Sequence, residues 1–125
     1  MIATSSAVAT DFFARLRVQE AVFSAGLPAV LDTIGALHDR VLPIPSAACG
    51  VRLQQALHTL AGCAPTFGYR RLAQEARALE QRLRVLQAFD DVPAVDWTTW
   101  FAQLDAMLAW ARIAPRSCTT TLSGQ

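Results

Sequence analysis

Apolar residues recur along this chain at intervals of three and four, and almost nowhere do they alternate with polar ones. That periodicity predicts helices rather than half-buried strands. Five helical segments can be marked. The first runs from about Asp11 to Ser24, with Thr10 as N-cap, Gly26 just past its end, and Phe12, Phe13, Leu16 and Phe23 on its apolar side. Pro28 opens the second, where a missing amide donor costs nothing. Leu27, Val30, Leu31, Ile34, Leu37 and Val41 form its stripe, and Pro43 and Pro45 end it. The third spans about Ser46 to Ala64, with Leu53, Leu57, Leu60 and Ala64 on one face before Pro65 breaks it. The fourth, about Gly68 to Phe89, sets Leu72, Ala76, Leu79, Leu83 and Leu86 against a side rich in arginine, and Asp90, Asp91 and Pro93 close it. Asp96 reads as the N-cap of the fifth, in which Trp97, Trp100, Phe101, Leu104, Met107, Leu108 and Ala111 keep the i, i+3, i+4, i+7 pattern until Pro115.

Amphipathic helices joined by short breaks bury their stripes against one another. The expected fold is all-α: an antiparallel up-down four-helix bundle with an additional N-terminal helix. The 125 residues suit one domain, 1–125, with a bundle core of about 28–113 and a flexible Ser/Thr-rich tail over 117–125. The aromatic residues of the fifth segment are expected in the core rather than as a stacking platform.

Composition narrows the function. Apolar residues make up 53% of the chain and charged ones 17%, enough for a core and too apolar for disorder. The net charge of +1, with every basic residue an arginine, gives no field suited to nucleic acid. The N-terminus lacks the basic start and apolar run of a signal peptide, and no stretch reads as a membrane span. Cys49, Cys63 and Cys118 show no C-x-x-C pair, so reduced thiols in a cytoplasmic protein are expected, without zinc or disulfides. Met1 and the loose tail fit a free-standing protein or a C-terminal module.

The candidate chemistry lies at His58. Leu53, Leu57 and Leu60 point inward, and His58 lies about 100° round the helix from Leu57. Its helical neighbours, Gln54, Gln55, Ala61 and Gly62, are polar or small, so the imidazole is expected in solvent on a docking surface made by those four. Gly62 has a cost of about 1 kcal/mol relative to alanine inside a helix. One turn beyond His58, it leaves room for another protein to approach the ring. His38 has no such setting and reads as a surface residue. No Walker-type phosphate loop and no H-E-x-x-H is present, so an autonomous kinase is not expected.

His58-Thr59-Leu60-Ala61-Gly62, followed by Gly68 and Leu72, resembles the motif of the histidine phosphotransfer (HPt) domain family. That motif reads His, any residue, Leu, usually Lys or Arg, Gly, five residues, Gly, three residues, Leu. Leu79-Glu80 is similar to the family's usual Leu-Glu. The motif covers residues 58–80, and the helix count extends the likeness to about 28–113. The resemblance implies a bundle built from the second to fifth helices. It also implies that His58 is a phosphoacceptor whose Nε2 takes a phosphoryl group from an aspartyl phosphate on a receiver domain and passes it to another. The implied partners are receiver domains of response regulators or a hybrid sensor kinase. The chain would have no cofactor of its own, with Mg²⁺ on the receiver, and would act as a carrier rather than an enzyme. Leu60, Gly68 and Leu72 would be architectural.

Ala61 departs from the pattern, since the family usually has a basic residue there. Arg70 or Arg71, across the loop, is the candidate source of that charge, and Gln54 or Gln55 the candidate to orient the ring through Nδ1. The remaining arginines of the fourth segment read as a solvated face or an electrostatic rim for an acidic receiver. An alternative reading is a non-phosphorylated HPt-like bundle that docks on or inhibits a kinase or response regulator, which Ala61 favours. A monomer is expected, with no membrane partner. A competing possibility is that Phe12, Phe13 and Phe23 cover the bundle or a second copy of it.

Overall fold

The computed structural model describes residues 2–39 and 46–116, with side chains over 10–37 and 46–116. These residues form helices α1 (Ile2–Asp39), α2 (Ala47–Cys63), α3 (Arg70–Ala88) and α4 (Ala94–Ile113), with one 3₁₀ turn, Ala64–Phe67, after α2. No strand occurs among the described residues, and the fold is all-α as the periodicity predicts. His38's side chain, Pro43, Pro45, Cys118 and the tail from Ser117 lie outside the described residues.

The first two expected segments are one helix. Gly26 does not adopt the left-handed conformation that would cap a helix, and Pro28 lies inside α1 rather than at its first turn. Proline's fixed φ is already helical; what it removes is one amide donor. Continuity has a second consequence. Within α1, Thr10–Leu37 is long and apolar enough, by length and composition alone, to cross a membrane, which corrects the expectation that no stretch would pass that test. Core helices and signal sequences meet the same criterion. Asp11, Arg15, Arg17, Glu20 and Asp32 interrupt this stretch.

The chain divides between Val30 and Leu31 into two compact units. The first contains the N-terminal part of α1, where Phe12 and Phe13 are exposed and stack edge to face, centroids 5.5 Å apart. The second is the bundle. Its first helix is the end of α1, which contributes Leu31 and Ile34 to the core and an Asp32–Arg112 ion pair to α4 at 3.2 Å. Leu53, Leu57 and Leu60 of α2, Leu72, Ala76, Leu79 and Leu83 of α3, and Trp100, Leu104 and Met107 of α4 complete the core. Helix α3 packs on α2 and on α4, each through a short connection, as in an up-down bundle. Trp100 is buried and its indole N–H donates to the Leu79 carbonyl at 2.9 Å, so the ring fills the core without leaving its polar atom unpaired.

The ends of the site-bearing helices follow from local chemistry. Ser46 caps α2, its hydroxyl accepting from the Cys49 amide at 3.2 Å. Gly68 ends the 3₁₀ turn at φ 87°, and its amide donates to Ala64 and Pro65 carbonyls. Its requirement is therefore the left-handed backbone, not close packing, and it sets the angle at which α3 leaves α2. Gly68→Ala is expected to lose about 1–2 kcal/mol of stability; an unchanged denaturation midpoint would contradict this account of the turn. Helix α4 starts at Ala94 with Pro93 at the cap. Asp96 lies inside the first turn, where its charge meets the positive end of the helix, rather than at the N-cap.

Candidate functional site

The seam between α2 and α3 brings together an imidazole, a carboxylate and a guanidinium. His58, on the outer flank of α2, has a side chain 71% exposed. Opposite it, Glu80 follows the core residue Leu79 on α3, and its side chain is only 7% exposed. Both Glu80 carboxylate oxygens lie within hydrogen-bond distance of His58 Nδ1, at 3.1 and 3.2 Å. One turn further along α3, Arg84 Nη2 donates to Glu80 Oε2 at 2.9 Å.

These contacts set the state of the ring. A carboxylate only accepts hydrogen bonds, so Nδ1 carries the hydrogen that it donates to Glu80. In the neutral imidazole the other nitrogen, Nε2, then keeps its lone pair. The ring is held from the seam side, which leaves Nε2 toward solvent. Burying a carboxylate is costly unless it is paired and hydrogen-bonded. Glu80 has both an arginine and a histidine, so it is a fixed anchor for the ring.

A shallow depression of about 240 Å³ adjoins the ring, lined by His58, Ala61, Gly62, Arg77, Glu80, Gln81 and Arg84. Gly62 is exposed, and a Cβ built on it would meet nothing within 4 Å. The bare step beside His58 is thus present as expected.

Four expectations about neighbours need correction. Ala61 is buried, because it lies about 60° from His58 on the side of Leu57 and faces α3. It lines the floor of the depression rather than an open shelf. Gln55 is exposed and Gln54 half-buried, but neither lines the depression, and the Nδ1 partner is Glu80 instead. Arg71 does not reach the site: its guanidinium lies over the Trp110 ring, 4.1 Å from the centroid. Arg70 is the first residue of α3, ten positions before Glu80, which is about 15 Å along a helix. The basic residues at the depression are Arg77 and Arg84. Leu60 and Leu72 are buried in the core, as architectural residues should be.

Glu80 is the functional residue that sequence reasoning left without a role. Its signal was present: an acidic residue directly after a core leucine, with arginine four positions on. Spacing along α3 could not show that His58 stands across from it.

Comparison with protein families finds that the model described as Hpt domain matches residues 21–112, from within α1 to the end of α4. No curated protein and no solved structure matches the chain.

Proposed function

The chain belongs to the Hpt domain family, and from that premise we propose that His58 is its phosphoacceptor, taking a phosphoryl group from an aspartyl phosphate on one receiver domain and giving it to another. The general role, histidine phosphotransfer within a phosphorelay in contact with receiver domains, comes with the family. The observation that carries the assignment to His58 is its geometry: an exposed ring, anchored at Nδ1 by a buried carboxylate, with Nε2 outward beside a bare backbone at Gly62.

The step balances without an added co-reactant. The Nε2 lone pair attacks phosphorus, and the P–O bond to the aspartyl group breaks with its electron pair leaving on the carboxylate. The ring becomes cationic, and Nδ1–H keeps its hydrogen bond to Glu80. In the return step a second carboxylate attacks, the P–N bond breaks, and its electron pair goes back to Nε2. Phosphoryl transfer relies on positioning and charge neutralisation. The bundle supplies the placed nucleophile; Mg²⁺ and the acidic pocket are assigned to the receiver.

The test is transfer of label from a phosphorylated receiver to this protein, with His58→Gln as the control. Acid-labile, alkali-stable label on the wild type and none on the variant is the expected result. Wild-type protein that binds the receiver yet stays unlabelled would point to a docking module instead. Gly62→Trp separates docking from chemistry. Uptake from the receiver is expected to fall about tenfold or more, equivalent to about 1.4 kcal/mol of lost docking energy. Uptake from a small-molecule phosphoramidate is expected to persist. Equal uptake from the receiver in both proteins would show that the open step is not part of the docking face.

A further inference from the structure

A phosphoryl group on His58 would bring nearly two negative charges to a place that already holds one, on Glu80. Helix α2 offers little to offset them. Its one arginine, Arg52, stands six residues before His58 and about 120° away round the helix. Ala61, beside the ring, is apolar and buried. Helix α3 is different. Arg77, Gln81 and Arg84 follow at i, i+4 and i+7, so they share one face, and all three line the depression next to His58.

Resting on His58 as the acceptor, we propose that Arg77 and Arg84 form an anion-holding wall of this site, so that α3 rather than α2 neutralises the phosphoryl group. Arg84 is fixed for that task. Glu80 Oε2 takes its Nη2–H at 2.9 Å, and the same oxygen lies 3.1 Å from His58 Nδ1. The guanidinium is therefore two hydrogen bonds from the ring. A guanidinium has five N–H donors in a planar fork, and the bond to Glu80 uses one. The others serve phosphoryl oxygens, which match that fork well. Glu80 thus acts in two directions: it orients the imidazole and it holds the cation beside it. Arg84 is a positioning and charge-balancing residue, and Arg77 closes the wall from the other end of the depression.

The experiment measures the lifetime of phospho-His58 on the full chain after loading with a small-molecule phosphoramidate. Arg84→Ala is expected to shorten the lifetime about tenfold, Arg84→Lys to restore most of it, and Arg77→Ala to shorten it less, as loss of a second, unbraced charge should. Arg70→Ala, outside the depression, is expected to match the wild type. Raising ionic strength should shorten the wild-type lifetime and leave that of Arg77→Ala/Arg84→Ala nearly unchanged, a response that a purely structural role would not give. Equal lifetimes in wild type and Arg84→Ala would overturn the proposal while leaving His58 as acceptor intact. Should the wild type take no phosphoryl group, the acceptor reading fails, and a titration with inorganic phosphate decides the wall separately. A shift of the Gly62 amide signal, lost in the double variant, supports the wall; no shift in the wild type overturns it.

Discussion

His58→Gln is expected to reduce phosphoryl uptake to background, a loss on the order of a thousandfold or more, since removing a nucleophile leaves no alternative group to form the covalent intermediate. Glutamine has no nitrogen lone pair available for attack, because its amide nitrogen is conjugated with the carbonyl. The variant should nevertheless fold. Its side chain replaces one that is mostly exposed, and the amide N–H₂ can donate to Glu80 in place of Nδ1–H, so the buried carboxylate keeps two partners. A stability change within about 1 kcal/mol is expected. Label transfer and thermal denaturation, measured on the same preparation, check both halves. Labelled protein in the absence of His58 would show that another residue carries the phosphate.

The largest stability effect is expected at Trp100. Truncating a buried tryptophan to alanine costs about 3–5 kcal/mol through lost packing and the cavity left behind. Here the Leu79 carbonyl, which keeps its i+4 bond within α3, also loses the indole N–H as a second donor, which adds to that loss. Small domains have only about 5–15 kcal/mol to lose. The melting temperature is therefore expected to drop by more than about 12 °C, at roughly 4 °C or more per kcal/mol. Trp100→Phe keeps most of the apolar contact and should lose about 0.5–1.5 kcal/mol for the indole hydrogen bond, since the Leu79 carbonyl still accepts within α3. Because Leu79 precedes Glu80, loosening this contact should also disturb the ring's anchor. A melting temperature for Trp100→Ala within a few degrees of wild type would contradict the packing described.

The fold was legible wherever a stripe of apolar residues met a sharp terminator. Leu53, Leu57 and Leu60 predicted the buried side of α2, and Trp100, Leu104 and Met107 that of α4. The break expected at Gly26 failed because glycine and proline mark where a helix is free to stop, and neither forces it to. Gly26 keeps helical backbone, and Pro28 gives up one hydrogen bond while its φ still fits the helix. Asp96 was misplaced by one turn for a related reason: an acidic residue is favourable both at the cap and in the first turn, so its identity cannot fix the boundary.

At the site, exposure of His58 and openness at Gly62 followed from angles on a single helix. What α3 contributes did not. Glu80 meets His58 across 22 residues of sequence, through the register of α2 against α3 that Gly68 and the 3₁₀ turn set. Periodicity along one helix says nothing about that register. The same limit made Arg71 look available near the histidine, when it lies over Trp110 instead. It also made Ala61 look exposed, when the neighbouring helix covers it.

The most direct measurement is to locate the phosphate itself. Wild-type protein is incubated with a phosphorylated receiver, quenched in alkali, and mapped by mass spectrometry and by ³¹P–¹⁵N coupling. A single phosphoramidate on Nε2 of His58 is the predicted result. Phosphate on His38, on a hydroxyl side chain, or on Nδ1 of His58 would contradict the account.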